Sequence, residues 1–217
     1  MVKFEDLLKK NQHNNLEKAF NTLKSNLLLN IHEKPKLVLA ITSAKDGEGK
    51  SFITVNLANA FARNYTTLLI DGNFNNPIVD GDEPSSRGFY DLMDEDSDPL
   101  NFVETTPVER MSILKCGTPG KNVSFMLSSP SIGRHFDAFR REFDIILIDT
   151  PSVLSFAEIS LLSKSIDGFI MVVKCGETRQ DVLRRAVDLL NRRDDQLLGV
   201  VLNQMHYHIP DFIYKRL

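Results

Sequence analysis

Near-continuous apolar runs rich in Val, Ile and Leu recur along the chain at 37–43, 66–71, 112–116, 143–149, 168–174 and 197–203. Strands that are apolar on both faces belong to a sheet covered on both sides. Separated by helical stretches, they predict an α/β, doubly wound fold with a mostly parallel sheet. Helical periodicity marks 51–64 and 178–193, with Thr178 or Glu177 placed to serve the N-terminus of the second helix. Ahead of the first strand, Leu16, Phe20, Leu23 and Leu27 fall on one helical stripe, which predicts a helix packed on the domain's own core. One domain is expected to span 1–217, with an N-terminal helical segment (1–35), an acidic loop (79–99) and a short tail (204–217). The loop carries eight carboxylates against one arginine between Asp80 and Asp98, the pattern of a solvated, mobile run.

Three of these runs lead directly into chemistry. After the first strand and before the first helix stands "SAKDGEGKS", 43–51, which has the GK[ST] ending of a phosphate-binding loop in the structural context that motif requires. Gly47 and Gly49 let backbone N–H groups curl around phosphate oxygens while the following helix turns its positive end toward them. Lys50 is suited to neutralise the β- and γ-phosphates, and the Ser51 hydroxyl to ligate Mg²⁺. Ala44 stands where the eight-residue pattern has its first glycine. "FDIILIDTP" ends its strand on Asp149, and a carboxylate there lies at the ligand crevice, where it can hold the metal's ligand shell. "LLIDGNFNNP", 68–77, ends on Asp71 and then spends Asn73, Asn75 and Asn76 on neutral amides.

The formal charge of −3 and pI near 6.0 argue against a surface built to grip nucleic acid. The five arginines from Arg179 to Arg193 share their helix with Asp181 and Asp188 and read as a solvated face. Cys116 and Cys175 each close an apolar run, which fits reduced, packed thiols in a reducing compartment. No apolar run approaches the ~20 residues of a membrane span, and the start lacks the apolar core of a signal peptide, so a cytoplasmic protein is expected. His206 and His208, on one face of an extended segment, have no Cys or carboxylate at ligand spacing and read as solvated or packed.

With these pieces in place, the chain resembles the bacterial tyrosine-kinase family, the CpsD- and CapB-like ATPases of capsule and exopolysaccharide synthesis within the MinD/ParA/Mrp group. The resemblance runs through "AFNTLKSNLLL", "TSAKDGEGKSFITVNLANAFA", "TLLIDGNFNNP", "GFYDLM", "ILKCGTP", "FDIILIDTPSVL", "DGFIMVVKCGETR" and "GVVLNQ", in the family's order. It implies a cytoplasmic P-loop ATPase that binds ATP or ADP with Mg²⁺ and forms homo-oligomers. It also implies recruitment to the inner face of the membrane by a polysaccharide co-polymerase, and a phosphotyrosine phosphatase as counterpart. On this reading Lys50, Asp71 and Asp149 are the catalytic candidates, and Ser51, Asp71 and Asp149 the metal ligands. Asp46, Gly47, Glu48, Gly49, Lys50, Ser51 and Phe52 form the nucleotide loop, with Asn203 toward the adenine. Lys45 occupies the place where the MinD and ParA branch carries an additional lysine, and Tyr207 and Tyr214 are the candidate phosphorylation sites.

Three departures qualify the resemblance. Family members follow the acid at the place of Asp71 with a second Asp and an Arg, where this chain has Asn73 and Asn75. A carboxamide has no useful basicity, so base-assisted transfer loses on the order of 10²-fold or more while Mg-ATP binding is retained. The subunit-contact signature Glu-x-x-Arg-x-x-Arg reads Lys18, Asn21 and Lys24, and Asn cannot reproduce an arginine fork. The tail carries two tyrosines in place of a cluster. The expected function is therefore an Mg-ATP-binding relative of the tyrosine autokinases with weak or lost kinase activity. The alternatives are a nucleotide-dependent, non-catalytic partner of the co-polymerase and a MinD- or ParA-like positioning ATPase.

Overall fold

The structure, a computed structural model, describes residues 14–29, 36–78, 87–92, 98–118, 123–191 and 197–205. Its elements are α1 (Asn14–Leu29), β1 (Leu37–Ser43), α2 (Lys50–Ala62), β2 (Thr67–Asp71), β3 (Val103–Thr105), β4 (Met111–Leu114), α3 (Val123–Ser128), α4 (Pro130–Glu142), β5 (Ile145–Asp149), β6 (Gly168–Lys174), α5 (Gln180–Asn191) and β7 (Leu197–Asn203). Short 3₁₀ turns at Pro99–Phe102 and Ala157–Lys164 complete the described chain. The strands form one seven-stranded sheet in the order β3-β4-β2-β5-β1-β6-β7, parallel throughout except for β3 on β4. This is the doubly wound α/β architecture read from the apolar runs.

β1, β2 and β5, at the centre, are buried at every position, which is why their sequences lack polar alternation. Two apolar clusters lie on the two faces. One joins Val38, Leu68, Ile146 and Met171 to α4, α5 and the 3₁₀ turn at Ala157–Lys164, and the other joins Leu39, Leu69, Leu147 and Val172 to α1 and α2. The stripe Leu16, Phe20, Leu23 and Leu27 packs α1 on α2 as the spacing predicts. β7 has the same composition but lies at the edge of the sheet, leaving Leu198, Val200 and Leu202 exposed. Apolar content marks a strand; its place in the sheet decides whether both faces are covered.

One expectation needs correction. The acidic stretch is not solvated throughout, because within it Phe89, Tyr90 and Leu92 are buried in the sheet's first core cluster. Asp91 accepts the N–H groups of Gly88 and Thr118, and Asp98 caps the 3₁₀ turn at Pro99 by accepting from Leu100 N at 3.0 Å. Counting charges hid three large side chains and two carboxylates with local backbone partners. The apolar runs do not predict α4, although Ser129 caps it, Pro130 opens it, and Ile132, Phe136 and Phe139 bury one side.

Candidate functional site

β1, β2 and β5 end side by side. Asp71 and Asp149 are direct register partners across β2 and β5, so both carboxylates arrive at the same level of the same edge. Between β1 and α2 the phosphate loop turns through Gly47 and Gly49, both at left-handed φ (81° and 91°), a conformation that glycine adopts without strain. A cavity of about 520 Å³ opens here, lined by Asp46, Gly47, Gly49, Lys50, Ser51 and Phe52 and, from the turn after β2, by Asn73, Asn75, Asn76, Pro77 and Ile78.

Lys50 is only 4% exposed and places Nζ 3.7 Å from Asp46 Oδ1. Burial pushes the Asp46 carboxyl up, but hydrogen bonds from Ser152 and Ser155 and the Lys50 charge outweigh it and hold it below the usual carboxylate range. Ser51 donates to Asp149 Oδ2 at 2.5 Å, and Thr54 donates to Asp149 Oδ1 at 3.4 Å. Burial pushes the Asp149 carboxyl up to about 6, against the opposing pull of these hydroxyls, Lys50 and the Asn73 amide. Asp71 faces its own loop, accepting Asn73 N at 3.3 Å on Oδ1 and Ile78 N at 2.6 Å on Oδ2. It thereby shapes the 72–78 turn that carries the asparagines.

The remaining candidates divide. Phe52 lines the cavity and meets Phe20 edge to face at 6.1 Å, tying α1 to the site. Asn203 lies behind the phosphate loop, donating to Glu48 O at 2.9 Å and standing where a side chain on Gly49 would be. Lys24, in the subunit-contact signature, turns inward within its own chain, to Ala60 O at 3.1 Å and Asn64 Oδ1 at 2.9 Å. Tyr207, Tyr214, His206 and His208 lie outside the described residues. Cys116 and Cys175 are both free thiols. Among the described residues no helix is long and apolar enough to cross a membrane.

A family model described as ParA, "NUBPL iron-transfer P-loop NTPase", matches residues 34–215. The tyrosine-protein kinase CpsD of Streptococcus pneumoniae serotype 4 is 30% identical over 200 residues, covering 90% of this chain and 87% of that one. The chain belongs to the bacterial tyrosine-kinase family of ParA-like P-loop NTPases. The putative tyrosine-protein kinase CapB of Staphylococcus aureus is 26% identical over 193 residues, covering 88% of this chain and 85% of its own. The crystal structure of the chimerical protein CapA2B2 superposes with a TM-score of 0.81 at 28% identity, covering 90% of this chain and 87% of that one.

In this bacterial tyrosine-kinase relative, sequence reasoning missed the braces of the phosphate loop. Glu48, 3% exposed, accepts Ala44 N at 3.0 Å and Lys45 N at 3.3 Å on one oxygen and the Thr178 hydroxyl on the other. Thr178, read as a helix cap, spends its hydroxyl on Glu48 instead. A charged residue inside a glycine-rich loop was the available signal, since such a side chain is buried only when paired. Tyr90 was also missed: its hydroxyl donates to Gly72 O at 2.7 Å, fixing the turn after Asp71.

Proposed function

We propose that this protein binds Mg-ATP in the cavity between the phosphate loop and the 72–78 turn, and that its transfer of phosphate to tyrosine is weak or lost. We further propose that its ATP-bound and empty states differ in affinity for the cytoplasmic segment of a membrane polysaccharide co-polymerase. The membership in a family of P-loop NTPases supports a nucleotide-binding site, and the resemblance to the tyrosine kinases named CpsD and CapB supports a role in capsule or exopolysaccharide systems. The observation that carries the reading is the contact of Ser51, which lines the cavity beside Lys50, with the buried Asp149 carboxylate.

Those residues fit the ligand. Hydroxyl and carboxylate oxygens at 2.5 Å form a hard donor pair of the kind that suits Mg²⁺ held together with substrate phosphates. An ion held by Ser51 and Asp149 would supply positive charge to the phosphates. Lys50 adds a positive charge at the same phosphates, and the loop N–H groups and the N-terminus of α2 orient them. Burial raises the pKa of Asp149, so the empty protein holds its proton more readily, and cationic charge brought by the ligand opposes that shift and favours the ionised form. Asn73 and Asn75, which line the same cavity, offer no basic side chain to assist transfer to a hydroxyl.

Calorimetric titration with Mg-ATP tests the site. Saturable binding is expected, weakened by about 100-fold or more in Lys50→Ala through loss of a charge-assisted phosphate contact. Absence of binding by the unaltered protein would overturn the reading. Affinity for the co-polymerase segment is then measured with and without ATP, and equal values would sink the proposed nucleotide dependence.

A further inference from the structure

We propose that β7 is an interface for a second copy of this chain, the two strands pairing antiparallel about a two-fold axis at Val200. This interface is independent of the nucleotide reading.

The sheet ends differently on its two sides. β3 is three residues long and its Glu104 is paired with Lys115 at 2.9 Å, so a short edge carries a charged guard. β7 is seven residues long, pairs with β6 on one side, and among the described residues has no strand on the other. Its sequence, LLGVVLN, holds neither a charge nor a proline to deter pairing. The one irregularity falls at its first residues, opposite Phe169 and Ile170, and leaves Gly199–Asn203 in regular register with β6.

The backbone decides what kind of group fits this edge. Asn203 O accepts from Cys175 N at 2.9 Å, so the peptide groups of Asn203 face the β6 side. Facing alternates along a strand: Val201 turns to β6 as well, while Val200 and Leu202 direct their N–H and C=O groups to the open edge. A row of alternating donors and acceptors is satisfied by another extended strand.

The side chains decide which strand. Leu198, Val200 and Leu202 are 43%, 46% and 58% exposed and stand at every second position, hence on one face. Their spacing is symmetric about Val200. An antiparallel copy centred there sets Val200 against its own counterpart and Leu198 against Leu202 of the second copy, in apolar cross-strand pairs with no like charges opposed. The same register brings outward-facing peptide groups together, whereas a slip of one residue sets them against groups already spent on β6. On the other face Gly199 falls opposite Val201 of the second copy, and a side chain on Gly199 would meet open space. The pairing uses the open edge of both copies and leaves the guarded β3 outside, so the assembly closes at two. It also differs from assembly through α1, whose Lys24 is held within its own chain.

Sedimentation velocity of the full, nucleotide-free chain from about 1 to about 200 µM tests the interface. A dimer with Kd on the order of 10 µM is expected, because one strand edge buries less than a standard interface. Val200→Lys, which opposes two ammonium groups on the axis, and Leu202→Glu are expected to raise Kd by about 50-fold or more. Both side chains are exposed, so circular dichroism should stay unchanged. Glu104→Gln, at the opposite edge, should leave the dimer as it is. Register is read by oxidising cysteine variants that also carry Cys175→Ser. Val200→Cys is expected to link to itself, with paired Cα atoms about 5.5 Å apart, and Leu198→Cys to link to Leu202→Cys but not to itself. A monomer at every concentration overturns the interface, and protection of the Val200 and Leu202 amides from hydrogen exchange in that monomer would assign the edge to residues 206–217 instead. A dimer that survives Val200→Lys and Leu202→Glu, or disulfides in another register, would equally overturn it.

Discussion

The two walls of the cavity follow different rules. The phosphate-loop side carries formal charges, each with a partner inside the protein: Lys50 with Asp46 at the cavity, and buried behind them Glu48 with Thr178 and two backbone N–H groups, and Asp149 with Ser51 and Thr54. The 72–78 wall places neutral amides in the cavity and keeps its one carboxylate, Asp71, turned into its own backbone. One wall is equipped to hold a polyanion and the other to hold something uncharged. The contrast teaches that charge and neutrality in one cavity are contributed by two separate chain segments, so each can be altered without the other.

The strongest way to break the contrast is to make the second wall charged. Asn73→Asp is expected to raise phosphorylation of Tyr207 or Tyr214 by about 10²-fold over the unaltered chain, read by mass spectrometry after incubation with Mg-ATP, because a base then stands at the cavity. No gain would mean that the missing acid is not what limits transfer. Glu48→Ala attacks the other wall from within, leaving the N–H groups of Ala44 and Lys45 and the Thr178 hydroxyl without their acceptor. A loss of about 3 kcal/mol, and a fall in Tm on the order of 10 °C, is expected by thermal denaturation.

A subtler probe is pH. The Asp149 carboxyl is raised by burial from 3.8 to about 6, so the unfolded chain releases that proton first. Its contribution to stability is complete below about 4 and is lost as pH rises through 6. The nucleotide-free protein should lose about 5 °C in Tm across that window, and Asp149→Asn should flatten the slope. Smallest of all, Tyr90→Phe removes the hydroxyl from Gly72 O while keeping the ring against Phe74 and Phe89. A loss of about 1 kcal/mol is expected, with the loss confined to the 72–78 turn when followed by hydrogen exchange.

The centre of this fold was legible because β1, β2 and β5 are buried on both faces, so each strand is a near-continuous apolar word. β3 was not, since Val103–Thr105 is only three residues long and largely exposed on its edge. The buried cluster of Phe89, Tyr90 and Leu92 was masked by the acids around it. At the site, the phosphate loop could be read because its chemistry is local, nine residues between a strand and a helix. The bond from Thr178 to Glu48 spans 130 positions and that from Asn203 spans 155, and nothing in either neighbourhood announces the other. Asn73 was singled out for what it lacks, a charge; its unpaired carbonyl emerges only from the packing.

The pairing of Asp71 with Asp149 across β2 and β5 has a consequence for assembly. A strand can slip only by whole residues, about 3.3 Å at a time, and a slip of one turns every side chain to the opposite face. The two acids therefore have no intermediate alignment: they meet at the same end of the sheet or they part company across it. Completion of the central strand pairing and completion of the acidic edge are one event, so a nucleotide that binds this edge is a reporter of whether the middle of the sheet has locked into register.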